Sequence, residues 1–282
     1  MINLNGTLQE DTQFNLSIKN RGYQFGDALF ETFKVVHGKI LFLEDHYFRL
    51  MASMRILRME IPMEFTMEFL QEEILKTVEA NKLSSQTARV RFTVDRGEGG
   101  KYAPLHKAIN YNVIAEPLDT PFYSIDSGNN YEVDLFKDYF VAPGLLSTLK
   151  TNNKIINVLG SVYAQENQLQ NCLLLNTEKQ VVEALNGNLF LVKGDKIKSP
   201  PLQDGCLKGV MRKQIIELLL NMGDYEFSEA SISPFELQKA DELFITNVII
   251  GIQPITKYRK KSFGNTIANL LVEKLNVKIR LS

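Results

Sequence analysis

With 282 residues, of which 44% are hydrophobic and 23% are charged, the chain can bury a substantial core, and we expect a globular protein of two domains. Its 32 Lys and Arg residues nearly balance its 33 Asp and Glu residues, and the formal net charge of -1 excludes an overall field that would recruit nucleic acid or an anionic membrane. The sequence contains neither a bilayer-length apolar run nor a basic-then-apolar leader, so we expect a cytoplasmic protein.

Residues 1–120 predict a smaller N-terminal α/β domain. Apolar runs on both sides of the His37-Gly38 turn indicate a hairpin, and Gly22 marks an earlier turn. Apolar residues at helical spacing then predict two helices, the first beginning at Glu44 and the second ending near Asn81. The strands predicted in this part lie at 29–36, 40–43 and 89–94.

The strand at 89–94 has the two-residue alternation of a half-buried strand. Its apolar residues predict a face in the core, whereas Arg89 and Arg91 share the face that is turned toward solvent or a cavity. A segment rich in proline, serine, glycine and asparagine follows, and we place the interdomain linker in it at 121–130.

Residues 131–282 predict a larger C-terminal domain that also mixes strands and helices. The periodicity predicts strands at 133–141, 172–175, 181–185, 189–192 and 242–246, helices at 152–170, 210–222 and 267–275, and a short helical turn at 234–239. The whole chain is therefore predicted to be an α+β protein.

The cysteines and histidines are too scattered to predict a metal site. Cys172 and Cys206 do not form a Cys-x-x-Cys pair, and His37, His46 and His106 lie far apart in the sequence. We therefore expect no zinc, and we expect the two cysteines to be free thiols in a reducing compartment.

Lys150 is a candidate nucleophile because of its position in the sequence. It lies where an apolar strand region is predicted to give way to a helix. A lysine in such a place can be shielded from water, lose its proton and then attack a carbonyl carbon. Lys150 could in this way hold an aldehyde cofactor. The alternative is an ordinary solvated lysine.

An anion site is indicated by two separate features. Gly205 and Gly209 precede the helix predicted from Val210, and glycine lets a ligand approach the unpaired amides of a first helical turn. Arg49, on the early helix, could grip a phosphate with its planar guanidinium. Each feature also has a simpler explanation. The glycines could serve only to form a turn, and Arg49 could be a surface residue whose aliphatic stem packs on the core.

Glu183 is a candidate partner for a cation. It follows Val181 and Val182 at a strand-like position, where a buried carboxylate needs a positive group nearby. A protonated pyridine nitrogen would satisfy it, and a carboxylate in that position makes a pyridoxal ring a better electron sink. The alternative is a strand-edge glutamate in water.

Taken together, these residues resemble the class IV pyridoxal-phosphate enzymes, a group that contains branched-chain and D-amino acid aminotransferases and aminodeoxychorismate lyase. The resemblance covers nearly the whole chain and consists of six motifs in the family's order. They are 20–31 (NRGYQFGDALFE), His46-x-x-Arg49-Leu50, Lys150-Thr151-x-Asn153, Glu183 with Asn188-Leu189-Phe190, Gly205-x-Leu207-x-Gly209-Val210-x-Arg212, and 242–246 with Pro254-Ile255.

The resemblance implies the two-domain α+β fold of the D-amino acid aminotransferase type, with pyridoxal 5'-phosphate in the cleft between the domains. Lys150 would bind the cofactor's aldehyde carbon and would move a proton between the substrate α-carbon and the cofactor's C4' carbon. Glu183 would face the pyridine nitrogen. A homodimer is also implied, because the family completes its pocket with a loop of the neighbouring subunit.

The phosphate contacts implied by the resemblance come from Arg49, from the amides of Val210 and Met211, and from the turn Thr246-Asn247-Val248. Met211 and Val248 stand where many of the aminotransferases carry a hydroxyl side chain, so those two contacts would be made by the backbone alone.

For the substrate, the resemblance implies that Phe25 and Phe30 line the pocket. Lys101, which follows Gly99-Gly100, and Arg91 are alternative partners for the substrate carboxylate. Either cation could instead be a solvated charge.

The leading interpretation is an aminotransferase that moves the amino group of an amino acid, of branched-chain type, to a 2-oxo acid. The second interpretation is an aminodeoxychorismate lyase, which forms 4-aminobenzoate and pyruvate. The run from Phe30 to Lys34, Met211 and the glycine-rich loop before Lys101 favour the lyase, whereas the larger number of aminotransferases in the group favours the first. A non-catalytic homologue is a minor alternative, which the joint presence of Lys150, Glu183 and Arg49 disfavours.

Overall fold

The computed structural model describes residues 1–126, 128 and 130–281, and it is an α+β protein as predicted. The other residues, Ser127 and Asn129 of the predicted 121–130 linker and the terminal Ser282, lie outside the described residues. Among the helices of the described residues, none is long and apolar enough to cross a bilayer.

Backbone contacts divide the chain into two compact units. Unit 1 comprises Met1–Pro121 together with Lys150–Asn153, and unit 2 comprises Phe122–Leu149 and Lys154–Ser282. The four residues that begin with Lys150 therefore belong structurally to unit 1, although the chain on both sides of them belongs to unit 2.

Unit 1 is a sheet with helices packed on one face. Its elements are β1 (Ile2–Leu4), β2 (Thr7–Gln9), α1 (Arg21–Phe25), β3 (Ala28–Val36), β4 (Lys39–Ile40), α2 (Leu43–Ile56), α3 (Met67–Ala80), β5 (Thr87–Arg96) and β6 (Ile109–Leu118). Among the described residues, the six strands form one antiparallel sheet in the order β2-β1-β6-β5-β3-β4.

The two faces of this sheet differ as the alternation in the sequence predicts. Residues Phe33, Val90 and Phe92 are fully buried on the face that carries α2 and α3. On the opposite face, Thr32 lies directly across from Arg91, and the same register places Lys34 across from Arg89. The prediction that the two arginines share a face is confirmed.

Local backbone geometry changes one predicted boundary in unit 1 and determines two further features. The second hairpin strand ends at Ile40 and not at residue 43, because Phe42 has a left-handed φ of 56° and turns the chain into α2. Helix α3 begins at Met67, since the Thr66 side chain accepts a hydrogen bond from the Phe69 amide and caps the first turn. The turn predicted at Gly22 is one turn of helix, α1.

Unit 2 is built on a larger mixed sheet. Its strands are β7 (Glu132–Val141), β8 (Asn171–Asn176), β9 (Val181–Ala184), β10 (Gly187–Lys193), β11 (Lys196–Ser199), β12 (Glu226–Glu229), β13 (Glu242–Asn247), β14 (Gly251–Ile255), β15 (Lys257–Tyr258) and β16 (Lys261–Ser262). The described strands run in the order β12-β11-β10-β9-β8-β7-β15-β16, and β13 pairs with both β10 and β14.

Four helices complete the described part of unit 2, and their positions follow from apolar spacing. They are α4 (Ile155–Glu166), α5 (Val210–Met222), α6 (Pro234–Leu237) and α7 (Thr266–Leu281). Helix α5 has the predicted bounds, whereas α7 continues beyond the predicted residue 275 because Leu275 and Ile279 extend its buried stripe.

The helix predicted at 152–170 is wrong at both ends. Its beginning moves to Ile155 because the Asn152 amide donates to the carbonyl of Ala28, so this part of the chain is extended. Its end moves to Glu166, since Gln168 has a left-handed φ of 57° and ends the helical path.

Candidate functional site

Lys150 lies in an extended segment that is bonded to strand β3. The Phe30 amide donates to the Lys150 carbonyl over 2.9 Å, and the Asn152 amide donates to the Ala28 carbonyl over 3.0 Å. Thr151 forms an isolated bridge with Leu29 between these two bonds. The backbone of Lys150 is thereby held by a buried strand, which fixes the origin of its side chain.

The Lys150 amine and the Arg91 guanidinium both lie against the ring of Phe30. The Lys150 Nζ atom is 4.4 Å and the Arg91 Cζ atom is 3.7 Å from the ring centroid. Arg91 also donates to the Asn152 Oδ1 atom over 3.0 Å and to the Thr93 hydroxyl over 3.3 Å. Burial and the charge of Arg89 lower the pKa of Arg91. A lysine amine, a guanidinium and an aromatic ring are therefore in contact in unit 1.

A second lysine occupies the same sheet face as Phe30. Lys34 is only 2% exposed, and burial lowers the pKa of its amine to about 8. It lies four residues from Phe30 along β3 and opposite Arg89. Lys34 is thus an alternative amine, and any test of Lys150 has to distinguish a reaction at Lys150 from one at Lys34.

Arg49 is held by Glu31, a carboxylate whose role was not predicted. Glu31 is 1% exposed on β3, and its two oxygens accept from the Nε and Nη2 atoms of Arg49, the first over 2.7 Å. His46 lies one helical turn earlier on α2, and its Nδ1 atom is 2.7 Å from the same carboxylate. We name Glu31, His46 and Arg49 the buried triad.

The charges of the buried triad are set by its members. Although burial raises the pKa of Glu31, the charge of Arg49 and the hydrogen bonds from His46 and Arg49 outweigh it and lower that pKa to about 2. Burial lowers the pKa of His46, and the charges of Arg49 and Lys150 add to this effect against the opposing influence of Glu31. An ionised Glu31 can only accept, so the proton of a neutral His46 is on Nδ1.

Phe25 and Lys101 belong to another part of unit 1. Arg21 is 3% exposed and donates to the carbonyls of Gly99, Lys101 and Tyr102, which holds the glycine-rich loop. The Phe25 ring lies 5.0 Å from the Arg21 guanidinium, and the Lys101 side chain is exposed. Of the two predicted carboxylate partners, Arg91 contacts the same Phe30 ring as Lys150, whereas Lys101 is bonded through its backbone to Arg21.

In unit 2, the Glu183 carboxylate accepts hydrogen bonds from Asn188 of β10 and from Leu207 in the loop before α5. It lies on β9 across the hairpin from Asn188 of β10. Its Oε2 atom accepts from the Leu207 amide over 2.9 Å and from the Asn188 side chain over 3.4 Å. Asn188 also donates to the Leu207 carbonyl over 2.9 Å. The carboxylate of Glu183 therefore has a fixed orientation next to the loop that leads into α5.

Helix α5 begins as the sequence predicts, and its start carries no side-chain cap. Gly209 is the N-cap residue, and as a glycine it offers the first amides of the helix no side-chain cap. Val210 and Met211, whose amides are predicted to meet a phosphate, are the first two helical residues and are both buried. Such a start presents unpaired N–H groups and the positive end of the helix dipole, which suits an anion.

Gly209→Ala is expected to disturb this arrangement, because a Cβ atom at residue 209 would lie 2.0 Å from the Oδ1 atom of Asn188. The displaced Asn188 would lose its hydrogen bond to Glu183, and we expect a loss of about 1–3 kcal/mol in the free energy of unfolding together with weaker cofactor binding. Urea unfolding and a cofactor titration measure both effects. Gly144→Ala is the matched control, since a Cβ atom there has nothing within 4 Å; equal losses in the two variants would contradict the prediction.

The turn that contains Asn247 and Val248 joins β13 to β14. The Asn247 side chain accepts from the amides of Ile249 and Ile250, each over 3.0 Å, and donates to the Asn186 carbonyl over 2.9 Å. Within the described residues, the buried Thr246 hydroxyl just before the turn has no hydrogen-bond partner. The turn is thus tightly bonded on the side of Asn247.

These groups fit pyridoxal 5'-phosphate in their chemistry. The aldehyde would take the amine of Lys150, the pyridinium nitrogen would take the oriented carboxylate of Glu183, and a dianionic phosphate would take the uncapped start of α5 and the unpartnered hydroxyl of Thr246. Unit 1 therefore contains a partner suited to the aldehyde, and unit 2 contains partners suited to the ring nitrogen and to the phosphate.

Several residues of the site were not predicted from the sequence. Glu31 and Asn188 stood inside the quoted motifs without a role, and Asn152 followed the candidate lysine. A carboxylate on a strand of apolar neighbours, with an arginine on the next helix, is a signal that could have indicated the pairing of Glu31 with Arg49.

Comparisons with known proteins identify similar sequences and folds. The family model described as amino-transferase class IV matches residues 28–258. A protein of Methanocaldococcus jannaschii, provisionally named branched-chain-amino-acid aminotransferase, is 28% identical over 99% of this chain and 95% of its own length. A D-alanine aminotransferase of Listeria monocytogenes is 29% identical over 90% of this chain and 86% of its own length.

Among solved structures, 4-amino-4-deoxychorismate lyase from Pseudomonas aeruginosa superposes with a TM-score of 0.79 at 26% identity, covering 100% of this chain and 99% of the other. The predicted fold type is confirmed by this similarity.

Proposed function

This chain belongs to the amino-transferase class IV family, whose cofactor is pyridoxal 5'-phosphate, and from that premise we propose that it is an aminotransferase. It moves the amino group of an amino acid, with branched-chain amino acids as the first candidates, to a 2-oxo acid. The arrangement of Lys150, Phe30 and Arg91 carries the proposal. An amino acid needs a group that moves its α-proton, a cation for its carboxylate and an apolar surface for its side chain, and these three residues supply them within unit 1.

Each remaining residue has a proposed task. Bound at Lys150, the cofactor supplies an electron sink that acidifies the substrate α-carbon. Once the amino group of the substrate has replaced Lys150 on the cofactor, the freed amine of Lys150 would take the proton from that carbon and return it at the cofactor's C4' position. Glu183 keeps the pyridine nitrogen protonated, and its bond to the Leu207 amide holds it in place for this purpose.

The phosphate is assigned to Arg49, to the amides of Val210 and Met211, and to the turn of Asn247 and Val248. The uncapped start of α5 supports the assignment of the two amides. Glu31 supports the assignment of Arg49, because it accepts hydrogen bonds from two of the guanidinium nitrogens and so fixes the orientation of the guanidinium.

For the substrate, Phe30 lines the pocket and Arg91 binds the carboxylate, with Phe25 as a further lining residue. Arg91 is favoured over Lys101 because its guanidinium lies against the same ring as the Lys150 amine. Its bond to Asn152, two residues after Lys150, holds the guanidinium close to that segment.

Aminodeoxychorismate lyase activity is the second candidate function. It is favoured by the similarity to the Pseudomonas aeruginosa lyase over essentially the full length of both chains. Met211 and the run from Phe30 to Lys34, which resemble the lyases, support the same candidate. Such an enzyme would use the same amine and cofactor to eliminate pyruvate and release 4-aminobenzoate.

One assay separates the two candidates. The purified holoenzyme receives either aminodeoxychorismate or an amino acid (leucine or D-alanine) with 2-oxoglutarate, and the products are followed as 4-aminobenzoate with pyruvate or as glutamate. Glutamate formation supports the aminotransferase. Release of 4-aminobenzoate without amino-group transfer would reject it, and a protein that never takes up pyridoxal 5'-phosphate would reject both candidates in favour of a non-catalytic homologue.

Arg91→Met tests the carboxylate assignment in the same assay. Loss of a charge-assisted pair is expected to raise the KM for the amino acid by about tenfold to a hundredfold, with a smaller change in kcat. Arg89→Met is the matched control, because Arg89 lies two residues away on the same sheet face and pairs with the exposed Glu116. An unchanged KM in Arg91→Met would transfer the assignment to Lys101.

We also propose a cytoplasmic homodimer. Apolar side chains of unit 2 are exposed on α4 (Ile155, Val158) and in the helical turn Leu145–Thr148 (Leu145, Leu146). Exposed apolar side chains that form one patch are typical of association surfaces. Light scattering at assay concentration measures the oligomeric state, and a fully active monomer would contradict the proposal.

A further inference from the structure

Tyr123 is a buried tyrosine of unit 2 that none of the motifs contains. It is 4% exposed, and its hydroxyl donates to the carbonyl of Val248 over 2.5 Å. Burial raises the pKa of this tyrosine, so the hydroxyl keeps the proton that it donates. A residue 125 positions earlier in the chain is therefore bonded to the turn assigned to the phosphate.

The bond from Tyr123 fixes a whole peptide group. The Val248 carbonyl and the Ile249 amide belong to one planar unit. Tyr123 binds the oxygen of this unit, and the side chain of Asn247 accepts from its N–H over 3.0 Å. With both ends bonded, the plane of this peptide cannot rotate without breaking one of the two hydrogen bonds.

Tyr123 is itself anchored at both backbone groups. Its amide donates to the Asn276 side chain over 3.0 Å, and its carbonyl accepts from the same side chain over 2.8 Å. Asn276 lies on α7, so a regular helix holds the main chain of Tyr123. Through Tyr123, the turn is therefore held in a fixed position relative to α7.

A glycine directly after the turn leaves space for the ring of Tyr123. Gly251 follows the turn with a φ of +75°, and a Cβ atom there would lie 2.6 Å from the Cγ atom of Tyr123. The same turn is linked through Asn247 to the carbonyl of Asn186, in the β9–β10 hairpin that carries Glu183. The orientation of this turn is thus fixed relative to the carboxylate of Glu183.

From this geometry we propose that Tyr123 is a positioning residue, which holds the turn of Asn247 and Val248 in the orientation that binds the phosphate of the cofactor. The inference rests on the function proposed above, because it assumes that this turn meets the phosphate. Tyr123 acts through the turn and does not itself touch the cofactor.

The test compares the affinities of the apo protein for pyridoxal 5'-phosphate and for pyridoxal, which lacks the phosphate. Tyr123→Phe removes only the hydroxyl, and we expect the preference for the phosphate ester to fall about tenfold, the value of one buried hydrogen bond. A general loss of stability would weaken both ligands alike and leave their ratio unchanged. Hydrogen exchange of the Ile249 amide in the apo protein is also expected to become faster.

Tyr258→Phe is the matched control. Tyr258 is fully buried in unit 2, and within the described residues its hydroxyl has no hydrogen-bond partner, so the same substitution removes no bond. If Tyr123→Phe fails to fold, Asn276→Ser replaces it, because that variant keeps the hydroxyl and frees the main chain of Tyr123.

The outcomes are distinct. A reduced ratio in Tyr123→Phe and an unchanged ratio in Tyr258→Phe support the inference. A wild-type preference that Tyr123→Phe retains overturns it and leaves the proposed function standing. A wild-type protein that binds the two ligands equally overturns the proposed phosphate site, and the inference with it.

Discussion

Lys150→Ala is expected to lower turnover by about three to four orders of magnitude, because the variant loses both the nucleophile and the group that moves the proton. It is also expected to lose the covalent link to the cofactor. The wild-type protein, reduced with borohydride and digested, should carry the cofactor on the peptide that contains Lys150. The same treatment of the variant should leave no labelled peptide.

Lys34→Met is the control that the structure makes necessary. Lys34 is buried on the same sheet face as Phe30, and its pKa of about 8 leaves part of the amine uncharged near neutral pH. Methionine keeps a similar length and removes the amine. If Lys150 is the nucleophile, Lys34→Met retains the labelled peptide and most of the activity per bound cofactor. A label on Lys34 that persists in Lys150→Ala would assign the chemistry to Lys34 on β3 and would overturn the role proposed for Lys150.

The position of Lys150 illustrates what the sequence could predict. Its identity as the candidate amine followed from the motif, but its backbone was predicted to lie at the junction of a strand and a helix. In the structure the segment is extended, because Phe30 and Ala28, more than 100 residues earlier, bond to Lys150 and Asn152. A local periodicity contains no information on such a distant partner, so the start of α4 was misplaced.

Elements with strong periodicity were predicted better than short or irregular ones. The apolar spacing of α5 and the clean alternation of β5 were sufficient, since each buries one face against its own unit. Strand β6 has partly exposed residues along most of its length and contains Pro117, and it was not predicted as a strand. Its pairing with β5 over ten residues is what makes it a strand.

At the candidate site, too, the residues could be predicted from the sequence but their contacts could not. Glu183 and Arg49 were predicted from residue type and order, whereas their partners Leu207 and Glu31 were not. The Leu207 contact is made by a backbone amide, which no side-chain pattern can reveal. The Glu31 contact joins a strand to a helix and depends on how the two pack.

Glu31→Gln is the second variant with a large expected effect. Replacing the carboxylate by an amide leaves Arg49 buried beside a neutral group, and the added NH2 faces the N–H donors of Arg49 and His46. Removing one partner of a buried ion pair costs about 3–5 kcal/mol, and we expect a loss of that size in the free energy of unfolding of the apo protein. Urea denaturation at neutral pH measures it.

Glu116→Gln is the matched control for this variant. Glu116 pairs with Arg89 over 3.0 Å, but its side chain is 58% exposed, and an exposed pair contributes less than about 1 kcal/mol. The two substitutions are chemically identical and both lie in the sheet of unit 1. Equal losses of stability would mean that the buried triad contributes no more than a surface pair.

The pH dependence of the Glu31→Gln effect tests its electrostatic origin. The pKa of Glu31 is lowered from 4.5 to about 2 in the folded protein, so the unfolded chain binds more protons between these values. The contribution of the carboxylate is therefore complete above pH 4.5 and is lost as the pH falls toward 2. The difference between wild type and variant should shrink over that window. A difference that stays constant down to pH 2 would mean that the loss comes from packing, and Glu31 would then have no electrostatic part in holding Arg49.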